Sequence, residues 1–227
     1  MAYFKSDFNT FFKELASNNH KDWFDDNRAR YHENIKKPFE DFVAVLMSEL
    51  QKDDPNLNGD PRKAIFRINR DIRFAKDKTP YKLNRAAFIS RFGRKAGGYP
   101  GLYIHLGPEK VMIGGGVYKP NKQELQSIRE YIMNHSQEFD MAINSPGFKN
   151  AFANIKGEEN KRLPSKELTE AARKQPLLYK KQFFYSADFP AELVTDERLL
   201  EFIVEKHREA KPVIEFFEKA LTDSQLR

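Results

Sequence analysis

The sequence predicts an α+β fold in which helices from both chain ends pack on a central, mainly antiparallel sheet of about five strands. Before residue 52 and after residue 119, apolar residues recur every three or four positions, which is typical of amphipathic helices. Between residues 62 and 118 they alternate in short segments separated by Pro- and Gly-containing turns. This second pattern is typical of neighbouring antiparallel strands, and the segregation of the two patterns along the chain predicts the α+β class.

The length and composition fit one α+β domain that spans residues 1–227. The chain contains 20 phenylalanines, and 40% of its residues are hydrophobic, so it can bury a substantial core. Within this domain we expect an N-terminal helical part (1–52), a sheet part (62–118) and a mostly helical C-terminal part (119–227). The sequence contains no cysteine, which excludes disulfides, thiolate metal sites and cysteine nucleophiles.

The apolar runs of the chain are short and interrupted by charge. Lys5 and Asp7 break the apolar residues at the N-terminus, which therefore does not resemble a signal peptide. The longest apolar run, residues 42–47, is far shorter than the roughly 20 residues that cross a bilayer. We expect a soluble, cytoplasmic protein that does not associate with a membrane.

Apolar stripes predict two helical segments at the start of the chain. Residues 7–16 predict one helix, and residues 20–51 predict a second helical region. We expect Asn19 to cap the second region, because an Asn side chain can accept a hydrogen bond from the first turn. Pro38 lies inside this region and predicts either a kink or a new helix that begins there.

Five segments have the alternation and composition of strands: 64–74, 85–92, 101–107, 110–118 and 181–188. The fourth contains Gly114-Gly115-Gly116, which predicts a bulge or a backbone that a ligand or the Trp23 helix must approach closely. After this strand, Asn121 and Glu124 have the spacing of a capping box and predict the start of another helix. The last helix is expected to begin near Thr195.

The net positive charge of the chain is concentrated in one segment, residues 62–95. This segment contains twelve Lys and Arg residues against two Asp residues, a net charge of +10, whereas the whole chain carries +6. The rest of the chain is therefore acidic overall. A local concentration of cations of this kind indicates a surface that attracts an anion.

If residues 64–74 form a strand, alternate side chains face opposite sides of the sheet. One face then presents Arg67, Asn69, Asp71 and Arg73. Asp71 can hold both arginines in fixed rotamers, and their guanidinium groups suit the oxygens of a carboxylate or phosphate. The other face is apolar except for Arg70. We expect Arg70 at the sheet rim or paired with a carboxylate from a helix, because a buried unpaired charge is very costly.

The loop after this segment adds further donors beside it, and the rigid Pro80 stiffens that loop. The candidate ligand-binding residues are Arg67, Asn69, Arg70, Asp71, Arg73, Lys78, Tyr81 and Lys82. The candidates for proton transfer are Asp71, Tyr81 and His105. The histidines show no metal-binding spacing, and the chain has no dinucleotide fingerprint, so we expect neither a metal nor a cofactor.

The basic stretch belongs to a longer set of motifs. They are Asn19, Trp23-Phe24, Asn27, Tyr31 and Pro38; the run R-x-N-R-D-x-R-F-x-x-D-K-x-P-Y-K at residues 67–82; Tyr103–Leu106; the three glycines; and Leu125 with Ile128-Arg129. Together they resemble the domain of unknown function 2461 family, a conserved hypothetical family of bacterial and fungal proteins. The resemblance covers about residues 4–222 and implies no particular activity, cofactor or catalytic residue.

We therefore predict that the protein binds, and could act on, a small anionic ligand through this basic site. Two other interpretations stay open. The charges can pair with acidic helices of the same chain, which would make the protein a non-catalytic structural or interaction module. Alternatively, residues 62–95 can bind nucleic acid, which the sequence pI of about 9.2 favours. The sequence leaves the substrate, the reaction and the oligomeric state open.

Overall fold

The structure, a computed structural model that describes residues 2–222, confirms the predicted α+β class. Its antiparallel sheet has four strands in the order β1-β2-β3-β4 within the described residues, instead of about five. They are β1 (Arg85–Ile89), β2 (Leu102–Leu106), β3 (Val111–Val117) and β4 (Phe183–Phe189). No helix in this part of the chain is long and apolar enough to cross a membrane.

Helices flank the strands in the sequence on both sides. They are α1 (Asp7–Ser17), α2 (Lys21–Asp26), α3 (Arg28–Tyr31), α4 (Lys37–Asp53), α5 (Pro61–Ala64), α6 (Lys122–Asn134), α7 (Ser136–Ile143), α8 (Pro146–Phe152), α9 (Lys166–Ala171), α10 (Leu199–Glu209) and α11 (Lys211–Thr222). A π-helical turn covers His32–Lys36, and short 3-10 segments cover Pro176–Tyr179 and Ala191–Thr195.

The chain divides into two compact units. The first contains the described residues up to Arg94, together with Tyr103–Ile113 and Asp188–Val204. The second contains Lys95–Leu102, Gly114–Ala187 and the described residues from Glu205 onward. This division does not test the single domain expected from the sequence, which stays a prediction.

In the first unit, α1 and α4 are joined by buried aromatic rings. Phe4 contacts Phe8 with ring centroids 4.7 Å apart and Phe42 at 5.4 Å. Removing a side chain of this size from water contributes about 1.5–3 kcal/mol to the free energy of unfolding. Phe39 is also fully buried. Because it anchors the first turns of α4, its neighbour Glu40 is held half-buried at a fixed place on the same helix.

The helix starts show which capping signals are decided locally. Pro38 stands in the first turn of α4, but Lys36 and Lys37 have helical backbone angles and the π-helical turn His32–Lys36 runs into α4 without a break, so no separate helix begins at this proline. The predicted capping box of Asn121 and Glu124 is confirmed at the start of α6. The expectation for Asn19 is wrong, because His20 caps α2 by accepting from the Trp23 amide, while Asn19 bonds elsewhere.

In the second unit, the three glycines of β3 lie against β4. A Cβ atom on Gly114 would lie 2.5 Å from the Tyr185 carbonyl oxygen, and one on Gly115 would lie 2.5 Å from the Tyr185 hydroxyl. Gly116 adopts a positive φ of 83°, which favours glycine. The predicted close approach is made by residues of β4 and, at Gly115, also by the Gly101 carbonyl oxygen just before β2.

Residues 64–74 do not form the predicted strand. Only isolated antiparallel bridges occur here, Ile65 with Ala87 and Asn69 with Tyr81. Residues 65–70 thus run antiparallel to residues 80–87, and residues 71–79 connect them; we call this connection the hairpin loop. Side-chain exposure alternates as predicted as far as Arg73, but Phe74 is 95% exposed, so the expected apolar face ends before it.

Local side-chain hydrogen bonds explain why regular pairing stops. The Asp77 carboxylate accepts from the Thr79 amide at 2.9 Å, and the Asp71 carboxylate accepts from the Arg73 amide at 3.4 Å. Asp side chains that bond the backbone two residues later stabilise turns in competition with a sheet ladder. Pro80 has no N–H to donate to a ladder. The strand pattern is therefore interrupted by turn chemistry within the same residues.

Candidate functional site

An open cleft of about 440 Å³ lies in the first unit, within the basic segment. We call it the basic cleft. It is lined by Glu40, Arg62, Ile65, Phe66, Arg67, Lys82, Arg85 and Arg94. Five cationic side chains therefore face one carboxylate and two apolar side chains.

The two arms of the hairpin bring most of these residues together. The Phe66 amide donates to the Ala86 carbonyl at 2.9 Å, and the Lys82 amide donates to the Ile68 carbonyl at 2.9 Å. These two bonds set residues 65–67 of one arm beside Lys82 and Arg85 of the other. The Arg94 side chain is fixed from further along the chain, because its Nε donates to the Lys63 carbonyl at 3.1 Å.

Arg85 is the buried cation of the basic cleft, with 4% of its surface exposed. Its Nη1 donates to the Phe66 carbonyl at 3.1 Å, and its Cζ lies 5.3 Å from the centre of the Phe39 ring. Its Nε has no hydrogen-bond partner among the described residues. Burial lowers the pKa of the Arg85 guanidinium, and the nearby Tyr31 hydroxyl and Glu40 carboxylate offset this effect in part.

Lys82 is half-buried beside the Phe66 ring. Its Nζ donates to the Arg67 carbonyl at 3.0 Å and lies 5.4 Å from the centre of the Phe66 ring. The Arg94 Cζ lies 4.9 Å from the centre of that ring. Burial lowers the pKa of Lys82, and the charges of Arg85, Arg67 and Arg94 lower it further.

The cations of the basic cleft lack counter-charges at ion-pair distance. Among residues 2–222, no carboxylate forms an ion pair with any of the five: Arg62, Arg67, Lys82, Arg85 and Arg94. Elsewhere in the same unit, Arg30 pairs with Asp7 and Glu14, and Arg91 pairs with Asp54 at 2.5 Å. Placing several unpaired cations together costs free energy unless an anion compensates for them.

The hairpin loop shows the opposite arrangement. Arg73 donates to both oxygens of Asp71, at 2.9 and 2.7 Å, and these bonds lower the pKa of Asp71 to about 2. The Thr79 amide and then Arg70 lower the pKa of Asp77 to about 2. Asp71 therefore holds one arginine instead of the two expected from the sequence, since Arg67 makes no ion pair with it within the described part of the chain.

Arg70 finds its partner in the loop itself. Its guanidinium bonds Asp77 and Thr79, so the carboxylate comes from the next turn of the chain and not from a helix. Lys78 is also engaged locally, because its Nζ donates to the Ile72 carbonyl at 2.9 Å. The donors of the hairpin loop are thus largely satisfied by the loop.

Tyr81 and His105 are not among the residues that line the basic cleft. Tyr81 is 7% exposed and stacks on Phe24 with ring centroids 4.0 Å apart. The Asn19 side chain donates to the Tyr81 carbonyl and accepts from the Tyr81 amide, both at 3.0 Å. This pair of bonds ties the hairpin to the start of α2. His105 is half-buried on β2, and burial lowers its pKa.

Of the eight candidate ligand-binding residues, Arg67 and Lys82 line the basic cleft; Asn69 is exposed on the hairpin arm. Sequence reasoning missed Arg62, Arg85 and Arg94 as site residues, although all three belong to the +10 segment. The high net charge of residues 62–95 could have indicated these three arginines, whereas the alternation of side chains along residues 64–74 could not. Glu40 lies outside this segment, on α4, and the sequence indicated it only as one of several acidic helix residues with which the basic charges could pair.

Comparison with known proteins agrees with the sequence motifs. No group of three or more side chains that could hold a metal occurs in the part of the chain described by the structure. No curated protein and no solved structure matches the chain. The model of a family of conserved hypothetical proteins, DUF2461, matches residues 7–216, a range that includes every residue of the basic cleft. The chain therefore belongs to the DUF2461 family of conserved hypothetical proteins.

Proposed function

We propose that the protein binds a small anionic ligand, bearing a phosphate or carboxylate group, in the basic cleft. One observation carries this proposal: five cations share the cleft, and none of them forms an ion pair with a carboxylate of the described residues. A bound anion would reduce the mutual repulsion of these cations and offset the cost of burying Arg85 fully and Lys82 and Arg94 in part.

The chemistry of the individual side chains supports the same proposal. Guanidinium groups bind carboxylates and phosphates through two parallel hydrogen bonds, and the cleft offers four of them. The buried Nε of Arg85 is a donor without a partner in the described chain. Hydrogen bonds made in such a low-dielectric environment are stronger than those made at the surface.

The test is a comparison of two arginines from the same basic segment. Isothermal titration calorimetry at low ionic strength measures the affinity for inorganic phosphate and, as a dicarboxylate, malonate. Arg67→Gln removes a cation that lines the cleft and should weaken binding about tenfold, the usual effect of losing a charge-assisted hydrogen bond. Arg73→Gln is the matched control, because its guanidinium is bound to Asp71; it should change affinity less than about twofold.

Two results would overturn the proposal. The first is the absence of binding of both anions to the wild-type protein at low salt. The second is an equal loss of affinity in the two variants, which would show that the basic segment acts only through its net charge. Thermal unfolding of each variant establishes that both remain folded.

Nucleic-acid binding is a second candidate, and the exposure of Phe74 favours it. The ring is 95% exposed, and the Arg73 Cζ lies 5.9 Å from its centre, an arrangement on which an unpaired base could stack. A gel shift with a single-stranded oligonucleotide that weakens with added salt and in Phe74→Ala would support this candidate. Affinity for phosphate with no shift at low salt would favour the small ligand.

A further inference from the structure

We propose that the ligand of the basic cleft carries a hydroxyl group close to its phosphate and donates a hydrogen bond from it to Glu40. The ligand class is then a small phosphorylated sugar or polyol, and not an inorganic polyphosphate. This inference rests on the proposed function: the five cations would bind the phosphate, and Glu40 would bind a hydroxyl group near it.

The position of Glu40 is the first step. It is the one carboxylate among the residues that line the cleft, and 31% of its side chain is exposed. Among the described residues its carboxylate accepts no hydrogen bond, and its ion-pair contact is a long one, 4.0 Å from Lys36 Nζ. Both oxygens therefore retain the capacity to accept from a ligand.

The second step concerns selectivity. A carboxylate repels phosphate oxygens, so a cleft built only to hold a chain of phosphates would bind more tightly without it. Glu40 instead raises the affinity for a ligand that carries a hydrogen-bond donor beside its anionic group. Glu40 and Arg85 line the same cleft, and the Arg85 Cζ lies 5.3 Å from the ring of Phe39, the residue before Glu40, so the acceptor and the buried cation are close to each other. The hydroxyl and the phosphate must then lie only a few bonds apart on the ligand.

The third step is the size and lining of the cleft. Its volume of about 440 Å³ exceeds what a single phosphate group occupies and falls in the range of small-molecule sites. Ile65 and Phe66 add apolar surface between the charged side chains. A short carbon skeleton with several hydroxyl groups can lie on this surface while its phosphate contacts the cations.

The experiment compares four probes: inorganic phosphate, tripolyphosphate, glycerol 3-phosphate and ribose 5-phosphate, each titrated calorimetrically into the full chain. The wild-type protein should bind ribose 5-phosphate about tenfold more tightly than inorganic phosphate. Glu40→Ala should reduce this ratio to about one and tighten the binding of tripolyphosphate. Asp41→Ala is the matched control, because Asp41 also pairs with a lysine one turn away on α4 but does not line the cleft; it should leave the ratio unchanged.

A second variant separates the two effects of Glu40. Glu40→Gln keeps an acceptor oxygen and removes the charge, so it should retain most of the preference for ribose 5-phosphate while it tightens the binding of tripolyphosphate. If Glu40 served only as a counter-charge for Arg85, Glu40→Ala would raise the affinity for every probe and leave their ratio unchanged, which would overturn the inference.

The outcomes also distinguish the inference from the proposed function. If inorganic phosphate binds in the cleft but ribose 5-phosphate gains nothing over it, the inference fails and the proposed function stands. If the wild-type protein binds tripolyphosphate more tightly than ribose 5-phosphate, the inference likewise fails and the proposed function stands. If none of the four probes binds, the proposed function itself is wrong.

Discussion

The basic cleft and the hairpin loop come from the same charged stretch, yet their charges are compensated in opposite ways. In the loop, Arg73 is bound by Asp71, and Arg70 is bound by Asp77. In the cleft, no cation forms an ion pair with a carboxylate of residues 2–222. The difference teaches that the density of positive charge along a sequence does not locate a binding site. What locates the candidate site is the set of cations that the fold leaves without a counter-charge.

Two buried arginines show the same contrast within the core. Arg85 and Arg129 are each 4% exposed. Arg129 donates from Nε to the Leu178 carbonyl and from Nη2 to the Lys180 carbonyl, both at 2.9 Å. Arg85 makes one backbone bond, interacts with the Tyr31 hydroxyl and has an Nε without a partner in the described chain. We infer that Arg129 serves the fold, whereas Arg85 is available to a ligand.

The largest effect is expected when Arg85 is replaced by methionine. Arg85→Met removes the buried cation of the cleft and should lower the affinity for phosphate by about 100-fold. The free energy of unfolding should stay within about 1 kcal/mol of the wild-type value, because the loss of one bond to the Phe66 carbonyl is offset by the removal of a buried charge without an ion pair. Calorimetry measures the first quantity and urea unfolding the second.

Arg129→Met gives the opposite result if the comparison is correct. It leaves two carbonyl groups without their donor, so the free energy of unfolding should fall by about 2–4 kcal/mol while phosphate affinity is unchanged. A strongly destabilised Arg85→Met protein, or an equal loss of affinity in both variants, would show that the two arginines do not differ in role.

A smaller effect should follow from the titration of Lys82. Because the pKa of Lys82 is lowered, this side chain loses its proton before an ordinary lysine as the pH rises. Sulfate stays fully ionised, so its affinity for the cleft should fall about three- to tenfold between pH 7 and pH 10.

The expected effect of this titration on folding stability has the opposite sign. The charged form of Lys82 opposes folding at neutral pH, and this cost disappears as the pH rises toward the unfolded value of 10.5.

Lys82→Arg supplies the control for this pH dependence. The guanidinium keeps its charge to higher pH, so the affinity for sulfate should be nearly constant over the same range. An identical decline in the wild-type protein and in Lys82→Arg would assign the effect to other groups.

The smallest effect concerns the hairpin loop and leaves binding untouched. In an NMR titration the carboxyl groups of Asp71 and Asp77 should both titrate near pH 2. Arg73→Gln should return the pKa of Asp71 toward its ordinary value of 3.8, because the Arg73 side chain is the main cause of the shift. Arg70→Gln should move the pKa of Asp77 less, since the Thr79 amide contributes most there.

These lowered pKa values also set the sign of the acid dependence. A carboxyl group with a lower pKa in the folded state stabilises the fold above its unfolded pKa and loses this contribution as the pH falls from about 4 to about 2. The melting temperature of the wild-type protein should therefore fall more over this range than that of Asp71→Asn. Equal declines would mean that the loop pairs are also present in the unfolded chain.

Much of the fold could be predicted because its signals are local. The stripe of α1 and the capping box of Asn121 depend on residues within one or two turns of each other. The prediction for residues 64–74 was wrong, because turn-forming Asp71 and Asp77 outweigh the alternation of the neighbouring side chains. Strand pairing depends on a partner, and periodicity alone does not report it.

The candidate site was less predictable for the same reason. Arg67 and Lys82 could be selected from the sequence, but Arg85 and Glu40 reach the cleft only when the hairpin packs beside α4. The role of Asn19 was missed as well, since its bonds are to Tyr81, 62 residues further along the chain. Contacts of this separation leave no periodic trace in one sequence.

The sequence by itself determined the α+β class, the helices with clear stripes and caps, and the place along the chain where positive charge accumulates. These properties follow from composition and from interactions within a few residues. The tertiary structure alone decided which cations receive a counter-charge. Asp71 and Asp77 neutralise their neighbours in the hairpin loop, whereas the packing of the hairpin arms beside α4 assembles five cations around a single carboxylate. Charge compensation depends on distances in space, and those distances exist only once the chain has folded.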